Sequence, residues 1–349
     1  MDAGHATKAG GRVLPDPLRA IALGLLVASP WAGLPTDEGT YADHESFGCE
    51  ANPTGDPIGG GEGYRELFSS GELTARTAEE LVAALKEAEA GQVIFVPDGV
   101  EIDLVEYGQL NIPGGVTLAG TRGANGSPGA RIFTTRKSGR MFVAGGDDIR
   151  LTGLRFEGPY GGAERIGDSS NFIGISRYGA EIDNCEICNF NVSGIGCGQS
   201  AMNVRIHHNY IHHCQRGGLG YGVSTSSSDV RIIANKFDYC RHHIASSGSP
   251  GSGYEAAWNL VLPNATSHHF DMHGGRDRGD STDIAGDWLH VHHNTFQGKH
   301  NHVVIRGVPS QGAWVHHNWF SGPAAEKVRS GGNTEVYRNV YGPDKVLEE

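Results

Sequence analysis

A coil-length repeat, a column of corner asparagines and a turn-rich composition predict an all-β chain. The expected architecture is a single-domain right-handed parallel β-helix, a solenoid with an N-terminal capping α-helix. Nine segments follow one template: apolar, any, apolar, two turn-like positions, most often Asn, then an apolar residue two further on. They start at Val116, Ile149, Ala180, Val204, Val230, Tyr254, Leu289, Ala313 and Thr334, in steps of 33, 31, 24, 26, 24, 35, 24 and 21 residues. A period in the twenties with occasional insertions is the signature of a stacked repeat. The clearest copies are Val204-Arg-Ile-His-His-Asn209-Tyr-Ile211 and Leu289-His-Val-His-His-Asn294-Thr-Phe296, each a short alternating strand, a corner and a second strand. Parallel crossovers are overwhelmingly right-handed, which sets the hand. Asn suits the corner because it tolerates left-handed backbone and its amide can bond the Asn one coil above. The 349 residues contain 53 glycines and only 8% aromatic residues, as turn-rich β structure requires.

Along the chain, the apolar run Ile21–Ala28 follows Lys8, Arg12 and Arg19 and precedes small residues, so residues 1–34 read as a signal or leader segment and predict export. The run is too short for a stable membrane span. Residues 35–76, rich in Gly, Pro and acidic groups, read as a linker or loosely packed arm. Thr77 with Glu80 forms a capping-box pattern, and Leu81, Ala84, Leu85 and Ala88 make one apolar stripe, so 77–90 is the capping helix. The β-helix then runs to residue 342, and 343–349 form a C-terminal tail. Cys214 and Cys240 occupy the same template position in adjacent coils and read as an interior stack. Cys185, Cys188 and Cys197 read as structural rather than metal-binding. Monomer is the expected state, and a net charge of −12 argues against nucleic acid as a partner.

Of the 18 histidines, 16 lie between His207 and His317. The pairs before the corner Asn read as structural stacks. A further strand of three successive coils reads His243-Ile-Ala-Ser-Ser247, His269-Phe-Asp-Met-His273 and His302-Val-Val-Ile-Arg306. If Ile244, Phe270 and Val303 face inward, period-2 alternation turns His243, His269 and His302 outward, beside Asp271, His273 and Arg306. The earlier coils Gly194–Gly198 and Gly222–Ser226 would offer only Gly and Ser outward and leave a groove. Arg241, His242 and the loop Gly274-Gly-Arg276-Asp-Arg278 would form its wall. Such a basic patch on an acidic chain suits an anionic ligand.

The capping helix, Val93-Ile-Phe-Val-Pro-Asp-Gly99, Gly115-Val-Thr-Leu-Ala-Gly-Thr121, Asp148-Ile-Arg-Leu-Thr-Gly-Leu-Arg-Phe156 and the Asn-corner coils together resemble the pectin-lyase-like superfamily of right-handed β-helices, over roughly residues 77 to 342. Ile305-Arg-Gly-Val-Pro309 is similar to the arginine strand of pectate lyases, whereas the acidic calcium ligands of those enzymes have no counterpart here. The resemblance implies a carbohydrate-active protein. β-Elimination on a uronate needs a carboxylate binder, a base at C5 and help for the leaving oxygen. The expectation is therefore a secreted polysaccharide lyase, extracellular or periplasmic, acting on an anionic polysaccharide. His243 or His269 would serve as base, Asp271 would orient an imidazole, His273 would donate a proton, and Arg306 would hold the carboxylate. Arg241, His242, His302, Arg276 and Arg278 are the expected substrate-binding residues. A divalent metal (Zn²⁺, Mn²⁺ or Ca²⁺) across His243, His269 and His302 is the competing cofactor reading. A glycoside hydrolase using loop acids such as Asp277, Asp280 or Asp283, and a non-catalytic glycan-binding or structural β-helix, are the alternatives.

Overall fold

The computed structural model describes residues 45–160 and 169–348. The leader segment at 1–34 lies outside these residues. From Ser46 onward the chain forms one unit, a right-handed parallel β-helix of three sheets. Each coil contributes a strand to the first sheet, turns the Asn corner into the second, bends again into the third, and returns. The first and second sheets each have 11 strands and the third has nine. All nine template starts fall in register: Val204 pairs with Val230, Val230 with Tyr254, Tyr254 with Leu289, and Leu289 with Ala313. The repeat is thus the coil itself.

The Asn corner is a continuous ladder. The Asn209 backbone N–H donates to Asn235 Oδ1 at 3.0 Å, and its Nδ2 donates to the same oxygen at 3.0 Å. Asn235, Asn259, Asn294 and Asn318 repeat this up to Asn339. Every buried amide therefore has its partners, which a corner sealed from water requires. The left-handed residue is not the Asn but the one before it: His208, Ala234, Trp258, His293, His317 and Arg338 all have φ between 48° and 55°. The ladder fixes the Asn side chain, so its predecessor takes up the turn. In the coil where Cys185 fills the Asn slot, Asn184 is left-handed at φ 49°.

The interior is one apolar column running from Ile94 to Phe320. The helix Ala78–Glu87 closes its start. Thr77 accepts from the Glu80 N–H at 3.2 Å, and Leu81, Ala84 and Leu85 are buried on the first coils. All six cysteines are buried and free.

Two boundaries differ from expectation. The described part of the supposed loose arm is packed along the Asn corner. Gly48 N–H donates to His317 O at 3.0 Å, Gly59 N–H to Ala234 O at 2.9 Å and Gly61 N–H to Asn184 Oδ1 at 2.8 Å. Tyr64 is buried with its hydroxyl on Asp183 Oδ2 at 2.8 Å. Backbone amides and single side chains anchor it, so no hydrophobic period betrays the packing. The supposed tail also adds a strand: Val346–Glu348 pairs antiparallel with Asn339–Tyr341.

Candidate active-site cleft

The third sheet carries a cleft of about 400 Å³ on its outer face. Register places Tyr221 beside His242, Ser224 beside Ala245, and Ala245 beside Asp271. The floor is low because Gly174, Gly196 and Ser224 have little or no side chain. A Cβ on Gly174 would stand 2.6 Å from Cζ of Arg140, so the glycine is what lets that guanidinium lie across the sheet. Arg140 is exposed and forms no ion pair among the described residues.

At the other end sits Asp271, fully buried. Arg306 grips it with two bonds, Nε to Oδ1 at 2.8 Å and Nη2 to Oδ2 at 2.5 Å, and reaches Asp277 with Nη1 at 3.3 Å. His273 Nε2 faces Asp271 Oδ2 at 3.2 Å, and His273 lines the cleft. Burial by itself would raise the Asp271 carboxyl. The bond from His273, the nearby His242 and the Arg306 fork outweigh burial and hold the group well below the usual carboxylate range. His242 Nδ1 donates to the His268 carbonyl at 2.6 Å, leaving Nε2 3.3 Å from Asp271 Oδ2. Burial pushes this imidazole down to about 4, against the pull of Asp271.

Tyr221 stacks on His242 with centroids 5.9 Å apart, and His242 stacks on His268 at 5.7 Å. Burial raises the Tyr221 phenol, and Arg241 beside it opposes that shift. Arg241 forms no ion pair among the described residues.

Of the residues expected at the site, Asp271, His273, Arg306, Arg241 and His242 do come together. His243, His269 and His302 do not; they are fully buried. Their rings form an interior stack, 5.4 Å from His243 to His269 and 4.9 Å on to His302, both at 11°, continuing onto Phe320. Alternation fails because the chain bends between the second and third sheets, so two consecutive residues, His243 and Ile244, both face in. The same column begins with glycine. A Cβ on Gly222 would stand 3.3 Å from Ile211 and 3.4 Å from Cys240, inside the coil. Desolvation lowers all three imidazoles, His243 and His302 to about 3. Sealed from solvent, they serve neither as base nor as substrate contact. His269 Nδ1 and His302 Nδ1 meet each other at 2.8 Å, and no ligand atom of His243 converges with them, so among the described residues the trio does not make the expected metal site.

Two further expectations change. Arg306 is committed to Asp271 and Asp277, so it holds Asp271 rather than a ligand carboxylate. Arg278 is spent on its own loop, donating to Ser247 O at 3.0 Å, Ile284 O at 2.9 Å and Asp280 at 2.8 Å, and so fixes the wall. Arg276 stays exposed on that wall. Sequence reasoning missed Tyr221, Arg140 and His268. The signal was present: Tyr221, His242 and His268 each stand one residue before the Gly–His column.

Two groups among the described residues have metal-ligand spacing, both on the first sheet: Glu181, Asp183 and His207, and Glu255, His290 and His292. The first is occupied by arginines, Arg205 on Glu181 at 2.9 Å and Arg150 on Asp183 at 2.8 Å. No helix among the described residues is long and apolar enough to cross a membrane.

Fold and cleft together define a right-handed parallel β-helix protein with an arginine-flanked cleft on its third sheet. An alginate lyase from Paenibacillus sp. str. FPU-7 shares the fold. Its TM-score is 0.53 at 16% identity, and the match covers 79% of this chain and 99% of that one. No protein-family model and no curated protein matches the sequence.

Proposed function

We propose that this protein is a secreted polysaccharide lyase that cleaves a uronate-containing polysaccharide by β-elimination. The observation that carries the reading is the cleft end itself, where Tyr221 and His273 stand over a buried Asp271 held by the half-buried Arg306, with Arg241 alongside. The structural neighbour is an alginate lyase, and alginate is a polyuronate, which supports the substrate class.

Arg241 binds the uronate carboxylate and so acidifies the adjoining C5–H. Asp271 accepts from the Nε2–H of His273, fixing the tautomer that leaves Nδ1 as the base. Nδ1 takes the C5 proton, the C–H electron pair becomes the C4=C5 bond, the C4–O4 bond breaks, and the Tyr221 hydroxyl protonates the departing O4. Hydrolysis is less well supported. It needs one carboxyl kept protonated, whereas Asp271 and Asp277 share one guanidinium and Asp271 is held ionised.

The test is ultraviolet absorbance from unsaturated uronate ends on a panel of polyuronates and glycosaminoglycans. Absorbance should rise, and Tyr221→Phe and His273→Ala should each lower kcat by about 10²-fold or more. New reducing ends without absorbance would replace the lyase reading with a hydrolase. Neither signal on any polymer would leave a glycan-binding or structural β-helix.

A further inference from the structure

The outer face of the first sheet carries a second polar cluster, on a different sheet from the cleft. Register sets Glu255 beside His290, and His292 beside His316, over three successive rungs. Side chains two apart on a strand share a face, so all four project together. His292 Nε2 lies 3.1 Å from Glu255 Oε1, and His290 Nε2 lies 2.7 Å from His316 Nε2. One ligand atom from each of Glu255, His290 and His292 falls within 4.8 Å of the others.

Two of the three remaining ring nitrogens are already placed. His292 Nδ1 meets His293 Nδ1 at 2.8 Å, and His316 Nδ1 meets His317 Nδ1 at 2.7 Å. Each partner therefore orients its imidazole and leaves Nε2 aimed into the cluster, the outer-shell arrangement that metal-bound histidines use.

Comparison within the chain separates this cluster from its look-alikes. A His–His pair with a glutamate one coil earlier recurs at His207 with Glu181 and at His212 with Glu186. At Glu181 the carboxylate is already taken by Arg205 at 2.9 Å, and Glu186 has one imidazole only. At Glu255 the nearest guanidinium, Arg231, stays 3.7 Å away and is 44% exposed, and two further histidines converge.

We infer that Glu255, His290, His292 and His316 form a binding site for a divalent transition cation of the Zn²⁺ type, which staples three successive rungs. Three imidazole nitrogens and one carboxylate oxygen are a ligand set that Zn²⁺ favours. At metal–nitrogen distances of about 2.0–2.1 Å, tetrahedral ligand atoms sit ~3.3 Å apart. Closing on an ion therefore needs the His290–His316 pair, 2.7 Å apart, to part by about 0.6 Å and the wider-spaced ligand atoms of the cluster to draw inward. The site stands whether or not the cleft is a lyase.

The experiment uses the full, untagged chain, stripped with chelator, dialysed and titrated with Co²⁺ and then Zn²⁺. One equivalent of Co²⁺ should bind with the visible ligand-field absorption of a tetrahedral centre, Zn²⁺ should displace it, and Zn²⁺ should raise the melting temperature. Glu255→Gln, which keeps the side-chain shape, and His290→Asn should each weaken binding at least tenfold, while His207→Asn should leave it unchanged. Absence of a ligand-field spectrum with the folded wild type, or a spectrum unaltered in Glu255→Gln and His290→Asn, would overturn the site.

Discussion

At the residue scale, the buried histidine column has a consequence for acid stability. His243, His269 and His302 have imidazoles lowered by burial, two of them to about 3, whereas an unfolded chain titrates near 6.5. Protons therefore favour the unfolded state. Nothing is lost above about pH 6.5, and stability falls as pH drops from there toward the folded values. At pH 5 His243 and His302 each cost about 2 kcal/mol. Urea unfolding at pH 7 and pH 5 should show this loss, and His302→Phe should shrink the difference by about that amount; an unchanged difference would refute it. The column was half legible in the sequence. The histidines at one register position were visible, but the bend that turns His243 and Ile244 inward together was not, because period-2 counting assumes a straight strand. The Asn ladder was legible because its spacing is the coil period, while the left-handed turn at His208 and its equivalents belongs to a position whose side chain varies freely.

At the scale of elements, the coils and the helix were plain in the sequence and the arm was not. Gly-, Pro- and acid-rich composition describes residues 46–68 as well in a docked state as in a free one, since what anchors them is Tyr64 on Asp183 and amides on corner carbonyls. Asp183 is fully buried and also holds Arg150 and Thr152, at 2.8 Å and 2.7 Å. Removing one bond to a buried carboxylate by Tyr64→Phe should destabilise the protein by about 1.5–3 kcal/mol. Calorimetry or urea titration measures this. A variant as stable as wild type would show the arm to be a passenger.

At the scale of the molecule, the proposed function requires a chain of net charge −12 to admit an anionic polymer, so the arginines at the cleft would have to overcome the surrounding field. Arg140 and Asp271 lie on third-sheet strands five rungs apart, roughly 24 Å. On the proposed function, Arg140 would hold a polymer far from the bond being broken. Arg140→Ala should raise KM several-fold on long substrates with kcat nearly unchanged, and the effect should vanish on short oligomers. Added salt should raise the wild-type KM and narrow the gap to the variant. A fall in kcat alone would place Arg140 in the chemistry instead.

A solenoid ordinarily knows only its nearest neighbours, and its ends open independently. The bond from Cys49 N–H to Thr295 Oγ1 joins positions 246 apart in sequence. During synthesis the arm emerges first, yet its docking surface is complete only after the coils carrying Thr295 and His317 have formed. The stretch from Gly59 to Tyr64 can dock on the coils of Asp183 and Ala234 as they form, whereas Gly48 and Cys49 find their partners only when the last coils are in place. Fraying of the final coils in the finished protein then frees the start of the arm at Gly48 and Cys49, so that two regions far apart in sequence open together.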